Sequence, residues 1–376
     1  MSKATGATSI RRLVGVFNAS LSSATNSAAV KSSKPIADPR KFKKLADGFK
    51  KSSESSKFRN YYKKAYSVTV QRLASAKQFS LIDDILQHQK KYKEISQEGF
   101  VIRLMMLYGK VGMYEHAHKL FDEMPELNCQ RTVNSLNALL SAYLHSKKFD
   151  NVGKLLEELP EKIGIEPDLI SYNTVIKAYC EMGSLDSAVS VIDTLEKKGL
   201  RPDIITFNTL LDGFFSGGQF ADGEEIWGLM EENNLVPDIR TYNTKLRGLV
   251  RERKISEAVE FWEEMESKGI EPDIRSYNAM ITGHCNAGNL EQVMKWYGEL
   301  KKSCLPDRVT YITVLSFLRK ENEFEMASEV CKEAMDRRML YGVSVIDQLV
   351  KESRIEEAIQ FLESGLSRSA LRLKYP

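Results

Sequence analysis

Residues 169–203 read LISYNTVIKAYCEMGSLDSAVSVIDTLEKKGLRPD, and the same sentence returns as IITFNTLLDGFFSGGQFADGEEIWGLMEENNLVPD at 204–238 and as IRTYNTKLRGLVRERKISEAVEFWEEMESKGIEPD at 239–273. The three 35-residue units keep SYNT (171–174), TFNT (206–209) and TYNT (241–244) in register, with closing Pro-Asp pairs at 202–203, 237–238 and 272–273. Self-similarity at a fixed period of this length marks a solenoid, in which no unit buries its apolar face alone and each stacks on its neighbours.

Within the first unit Tyr172, Val175, Ile176, Tyr179 and Cys180 fall at i, i+3, i+4, i+7 and i+8, one apolar stripe of a helix. Ser171 reads as its N-cap and Gly183 as its stop. A second stripe runs through Leu185, Ala188, Val189, Ile192 and Leu195 and ends at Gly199, ahead of Pro202, which cannot continue a helix. Each unit is therefore a helical hairpin and the fold all-α. Asn173 lies roughly 100 degrees from the Tyr172 stripe. It sits beside the buried face, a candidate contact residue rather than a core one.

Two helices per 35 residues, an aromatic-Asn-Thr start and a Pro-Asp end resemble the pentatricopeptide repeat family, specifically its P class. The resemblance implies a right-handed superhelical solenoid whose first helices line a groove that binds single-stranded RNA, one base per repeat. In that family the base is read by the residue after the aromatic and by the last residue of the repeat. The tetratricopeptide repeat, a peptide binder with a period of about 34 residues, carries a Trp and Leu-Gly signature absent from these units.

Outward from the three units the period continues with looser spelling. Units at 63–97 and 98–132 keep the apolar pattern but have Ser67 and Ile102 where Asn is expected. The unit 133–168 has one extra residue and starts SLNA, 274–307 is one short and starts SYNA, 308–338 has TYIT, and 339–365 is partial. About nine units thus fill 63–365, followed by a tail at 366–376. Terminal units are expected to be atypical because they cap the stack.

Residues 1–37 hold five basic residues, eight serines and no acid before Asp38. That composition predicts a mitochondrial or plastid transit peptide, with the mitochondrial matrix as the expected destination. Removing it takes the balance from 54 Lys+Arg against 51 Asp+Glu to 49 against 51. Units 169–307 are acidic, 15 against 23, so they present no broad basic surface of the sort that drives non-specific phosphate binding. Residues 38–62 and the two lysines after them differ, with ten basic residues between Arg40 and Lys64 and only Asp47 and Glu54 opposing them. This stretch reads as a basic arm for phosphates or as a linker capping the first helix, with Phe42, Phe49, Tyr61 and Tyr62 free to pack or stack.

Five consecutive units pair Asn with Asp: Asn137 with Asp168, Asn173 with Asp203, Asn208 with Asp238, Asn243 with Asp273 and Asn278 with Asp307. An amide can donate to one edge atom of a pyrimidine and accept from another, and a carboxylate can fix the amide's orientation. In the family this pair resembles the reader for uracil, with cytosine tolerated. Asp after Pro also serves as a turn residue that helps cap the next helix. The family's second position is aliphatic at Ile170, Ile205 and Val309, but Asn134, Arg240 and Arg275 depart from it, and arginine can stack on a base or hold a phosphate. Where the family places a lysine near the end of the first helix stand Lys110, His145, Glu181, Ser216, Arg251, Asn286 and Lys320, three of seven firmly basic.

Catalytic constellations are missing. The five cysteines include no C-x-x-C, His116 and His118 point to different helix faces, and no Gly-rich phosphate loop is written. Neither an enzyme nor a metal or cofactor is expected. The segment QEGFVIRLMMLYGKVGMYEHAHKLFDEMPELNCQRT (97–132) is similar to plant ribosome-associated pentatricopeptide proteins. One expectation is thus a component of the mitochondrial ribosome, with ribosomal RNA and ribosomal proteins as partners and no membrane or small-molecule substrate. The other is a free factor preferring pyrimidine-rich single-stranded RNA.

Overall fold

The computed structural model of the protein describes residues 39–336. The leader 1–37, the partial unit 339–365 and the tail 366–376 lie outside the described residues. The chain opens with α1 (Pro39–Ser52) and the short α2 (Ser56–Tyr61). Paired helices follow in tandem: α3 (Lys63–Ser75) with α4 (Phe79–Gln87), α5 (Glu98–Lys110) with α6 (Tyr114–Glu123), and α7 (Val133–His145) with α8 (Phe149–Ile163). Then come α9 (Leu169–Met182) with α10 (Leu185–Lys197), α11 (Ile204–Ser216) with α12 (Phe220–Glu232), and α13 (Ile239–Arg251) with α14 (Ile255–Ser267). The last described pairs are α15 (Ile274–Asn286) with α16 (Leu290–Ser303) and α17 (Arg308–Lys320) with α18 (Phe324–Asp336).

The start of α9 shows why the hairpins begin where they do, and corrects the sequence reading. Asp168, not Ser171, is the N-cap: its backbone is extended (φ −104°, ψ 179°) and its side chain accepts from the Ser171 N–H, while Ser171 at N3 bonds back to the cap. Both residue types cap well, so composition alone did not choose between them. Extended backbone at Asp168 favours this reciprocal box over a helix that begins a turn later. Gly183 ends α9 at φ 73°, a left-handed conformation that suits glycine. On α9 Tyr172, Val175, Ile176 and Ala178 are buried, and on α10 Leu185, Ala188, Val191, Ile192 and Leu195. Each fully buried large aliphatic or aromatic side chain contributes about 1.5–3 kcal/mol.

Consecutive hairpins pack first helix on first helix, α5 on α7 and onward through α15 on α17, and at α9 the preceding second helix α8 packs closely as well. Small residues permit this approach. A Cβ on Gly213 would lie 2.5 Å from Cys180 Sγ, one on Gly248 2.9 Å from Phe215 Cβ, and one on Gly283 3.0 Å from Val250 Cγ2. These glycines recur every 35 residues. At Gly109 the obstacle is backbone, since a Cβ there would stand 2.5 Å from Ala142 Cα. In a free helix Gly→Ala stabilises by about 1 kcal/mol. Gly109→Ala should instead destabilise by about 1–3 kcal/mol, because the α5 and α7 axes must separate. A denaturation midpoint raised by this change would show that the contact can relax.

Tryptophan follows the same period on the second helices, at 227, 262 and 296. Tyr242 lies between units, its ring 5.5 Å from Trp227 and stacked at 5.2 Å on Phe261. Trp262 repeats the arrangement with Tyr277 at 4.9 Å and Trp296 at 4.7 Å.

The basic stretch after residue 38 is a folded cap rather than a free arm. Phe42, Ala46 and Phe49 recur at i, i+4 and i+7 along α1 and are buried, with the Phe49 ring 4.8 Å from Tyr66 of α3. Arg59 is buried, and its Nη2 donates to Glu94 Oε1 at 2.8 Å while Nη1 donates to the Ser53 and Glu54 carbonyls. Lys50 pairs with Asp84. Lys41, Lys43, Lys44, Lys51, Lys57, Lys63 and Lys64 stay exposed, beside exposed Tyr61 and Tyr62.

Candidate nucleic-acid interface

Every first helix from α9 to α17 starts from an Asp N-cap, and every one of those caps touches the Asn of the preceding unit. The Asn Nδ2 donates to the Asp Oδ1 at 3.0 Å for Asn137–Asp168, 3.5 Å for Asn173–Asp203 and 3.3 Å for Asn208–Asp238. For Asn243–Asp273 and Asn278–Asp307 the distances are 3.0 and 3.2 Å. The same carboxylate oxygen accepts the backbone N–H three residues on, at 2.9–3.1 Å. Capping and Asn orientation, alternatives in the sequence, are thus performed together by one oxygen.

A third partner was not foreseen. The N3 hydroxyl donates to the Asn Oδ1, from Ser171 to Asn137 at 2.5 Å and from Thr206, Ser276 and Thr310 to Asn173, Asn243 and Asn278 at 2.7 Å. Its signal was the hydroxyl residue opening each SYNT-like motif, here assigned to capping alone. With one amide hydrogen and one lone pair committed inside the protein, each Asn keeps one donor and one acceptor for a ligand. Asn208 differs: its Oδ1 is buried and unpartnered. The five are also unequally open, for Asn137 and Asn243 are 8% and 4% exposed whereas Asn173, Asn208 and Asn278 are half-buried.

Asn208, Asn243 and Asn278, with Asp238 and Asp307, line a groove of about 1760 Å³ that runs from Lys177 to Lys320 and is formed by first helices and the turn at Arg253, whereas Asn137 and Asn173 lie outside it. Lys177, Arg240, Arg247, Arg251, Arg253, Arg275 and Lys320 face it, against Asp212, Asp238 and Asp307. The acid excess of the repeats lies elsewhere, with 15 of the 23 acidic residues of 169–307 on α10, α12, α14 and α16. Counting charge over whole units averaged two faces of opposite character. Ile170, Ile205 and Val309 are 60%, 55% and 55% exposed, large aliphatics held open to solvent. Arg240 and Arg275 stand in the equivalent place, exposed, with backbone N–H groups on Asp238 and Asp273. Lys177, Asp212 and Arg247, also 35 apart, form a ladder across α9, α11 and α13 that the sequence reading passed over.

Burial pushes the Asp238 carboxyl up, but bonds from Thr241, Asn208 and the Arg240 N–H outweigh it, so its pKa falls below the ordinary 3.8. A folded carboxylate lowered in this way contributes stability that is complete above the unfolded pKa and is lost as pH falls through the folded value. Thermal midpoints should therefore drop below about pH 4, and Asp238→Asn, which retains a capping side chain, should flatten that drop. An acid slope identical in the two proteins would count against the network.

The remaining candidates do not converge. Burial pushes the thiols of Cys180, Cys285 and Cys331 up to about 12. His116 Nε2 lies 3.9 Å from Asp83, whereas His118 Nδ1 is 2.6 Å from the Tyr143 hydroxyl, so the two serve different neighbours. Among the described residues no three His, Cys, Asp or Glu side chains are placed to hold a metal, and no helix is long and apolar enough to cross a membrane.

Tandem hairpins stacked through their first helices, with an Asn at a fixed place in five consecutive units, define an α-solenoid with a groove along its first helices. Residues 167–216, 202–251, 237–286 and 272–320 match the PPR repeat family, 119–182 the pentatricopeptide repeat domain and 103–129 the PPR repeat. Together these run from 103 to 320, more than half of the 376 residues, and the chain belongs to the pentatricopeptide repeat family. A pentatricopeptide repeat-containing protein of Arabidopsis thaliana is 60% identical over 39% of this chain and 27% of its own length. The small ribosomal subunit protein mS78 of Arabidopsis thaliana is 51% identical over 41% of this chain and 38% of its own. A further relative from that plant, with mitochondrial in its name, is 41% identical over 35% and 32%. The matched stretch thus spans well under half of each relative. The crystal structure of the pentatricopeptide repeat protein PPR10 from maize superposes with a TM-score of 0.52 at 22% identity, covering 88% of this chain and 50% of that one, a likeness of fold.

Proposed function

We propose that this chain is a non-catalytic RNA-binding protein of mitochondrial gene expression, held as a component of the small subunit of the mitochondrial ribosome. The observation that carries the reading is the groove, where the amides of Asn208, Asn243 and Asn278, one from each of three successive repeats, stand among seven cations and three carboxylates. That combination suits a strand whose bases present donor and acceptor edges and whose backbone is anionic. The ribosomal assignment is supported by the likeness to mS78, and the mitochondrial one by the relative so named and by the acid-free leader 1–37. The readers Asn137, Asn173, Asn208, Asn243 and Asn278 act with Asp168, Asp203, Asp238, Asp273 and Asp307, and Arg240 and Arg275 take phosphates or stack on bases. A second surface is the cap, whose lysines contact ribosomal RNA.

The experiment is sedimentation of the chain with small ribosomal subunits at rising salt. Replacing Asn173, Asn208 and Asn243 together by Ser should leave association intact. Reversing the charge of Lys43, Lys44 and Lys51 should release the protein at lower salt, because phosphate contacts carry the salt dependence. Lys50 is spared because it pairs with Asp84. Tight, uridine-selective binding by the purified chain at physiological salt, abolished in the Asn variant, would make it a free RNA-binding factor instead.

A further inference from the structure

Asp212 sits in the interior of α11, on the floor of the groove, between cations supplied by the helices on either side. Its Oδ2 lies 3.0 Å from Lys177 Nζ of α9 and its Oδ1 3.1 Å from Arg247 Nη2 of α13. Of the three groove carboxylates it is the one that caps no helix, since Asp238 and Asp307 begin α13 and α17. The three side chains are 33–58% exposed, and exposed ion pairs contribute little to stability. Aspartate is also a weak helix former in such a position. Fold alone gives Asp212 little reason to be there.

The two cations are anchored by other groups as well. Arg247 Nε donates to the Asn243 carbonyl at 3.3 Å and Nη2 to Thr244 Oγ1 at 3.3 Å, while Lys177 also pairs with Glu181 at 3.2 Å. They would keep their places were the Asp212 carboxylate gone. One oxygen toward each cation is the way a bridging oxyanion is held, and a phosphodiester presents two such oxygens, one of them able to engage a guanidinium.

Resting on the RNA reading above, we propose that Lys177 and Arg247 form a backbone-phosphate site on the groove floor, which the Asp212 carboxylate fills in the free chain and yields to a bound strand. The site is distinct from the Asn–Asp readers: it takes the phosphodiester and not the base. It also makes entry of RNA an exchange, in which one anion leaves two cations as another arrives.

The test is equilibrium binding of the full chain to a short oligouridine at a series of salt concentrations, with and without Asp212→Asn, which keeps shape and removes charge. The variant should bind about tenfold tighter at low salt, with a log–log salt slope steeper by roughly 1.4, two cations at about 0.7 each for a single strand. Adding Arg247→Gln to it should remove about half of the added slope. Binding by both forms with unchanged affinity and slope overturns this site alone. Failure of both to bind at any salt overturns the RNA reading and the site with it. An Asp212→Asn chain that does not fold, judged by its thermal transition, overturns the site by showing the carboxylate to be structural.

Discussion

Tyr242→Ala should lower stability by about 3–5 kcal/mol, as truncating a buried aromatic does. The ring is 2% exposed and belongs to two units at once, meeting Trp227 of the hairpin before and Phe261 of its own. Removing it opens a cavity at a unit boundary, and in a stack stabilised by nearest-neighbour contacts the loss should pass to adjacent hairpins. Hydrogen exchange should therefore quicken in α11 to α14 together, not in α13 alone. Tyr242→Phe keeps the ring contacts and should recover most of the loss. A denaturation midpoint unmoved by Tyr242→Ala would mean that the hairpins pack in another register.

Glu94→Ala should destabilise the chain by about 3–5 kcal/mol, because it leaves Arg59 charged and buried without its carboxylate. The side chains are 6% and 2% exposed for Arg59 and Glu94. Burial pushes the Glu94 carboxyl up, but the bonds from Arg59 and Ser56 prevail and hold it below the ordinary range. Arg59 cannot swing out to water without giving up the Ser53 and Glu54 carbonyls and the Tyr92 ring, 4.0 Å from its guanidinium carbon. The pair is incompletely satisfied, however, for Arg59 Nε and Glu94 Oε2 are buried without hydrogen-bond partners. Replacing both residues by Met should then cost clearly less than the two single changes added together. Limited proteolysis of 39–61 gives a second readout, since the cap should loosen first. Additive losses would mean that the two side chains act independently.

The 35-residue period, the two stripes of each unit and the Gly183 stop were legible because spacing alone dictates them. Val191, buried where Val189 was expected, shows the margin of such readings. What failed was anything that depended on which of two suitable residues does a job. Asp168 and Ser171 both suit a cap, and only the extended backbone at Asp168 decides. The helix at 39–52 was obscured by its lysines, although Phe42, Ala46 and Phe49 already carried its periodicity. The Asn–Asp pairs were visible in the sequence, but the hydroxyl relay was not, because the Ser or Thr that makes it also suits a cap and its bond to the Asn of the preceding unit crosses a boundary. Groove charge was hidden for the converse reason: the acidic second helices outnumbered the basic residues of the first.

One carboxylate oxygen both closes the first turn of a helix and aims the amide of the unit before it. On the RNA reading proposed above, the chemistry of folding therefore edits the chemistry of recognition. A substitution at 168, 203, 238 or 273 that tried to redirect base choice must still hold a helix start, and side chains that do so well are few: Asn, Asp, Ser and, less well, Thr or Gly. The vocabulary open to this position is filtered before any nucleotide is met, and letters such as Leu or Val are struck out on grounds of stability alone. Swaps within the permitted set come at little structural expense, so on that reading the end of each repeat is a place where specificity can drift while the stack stays whole.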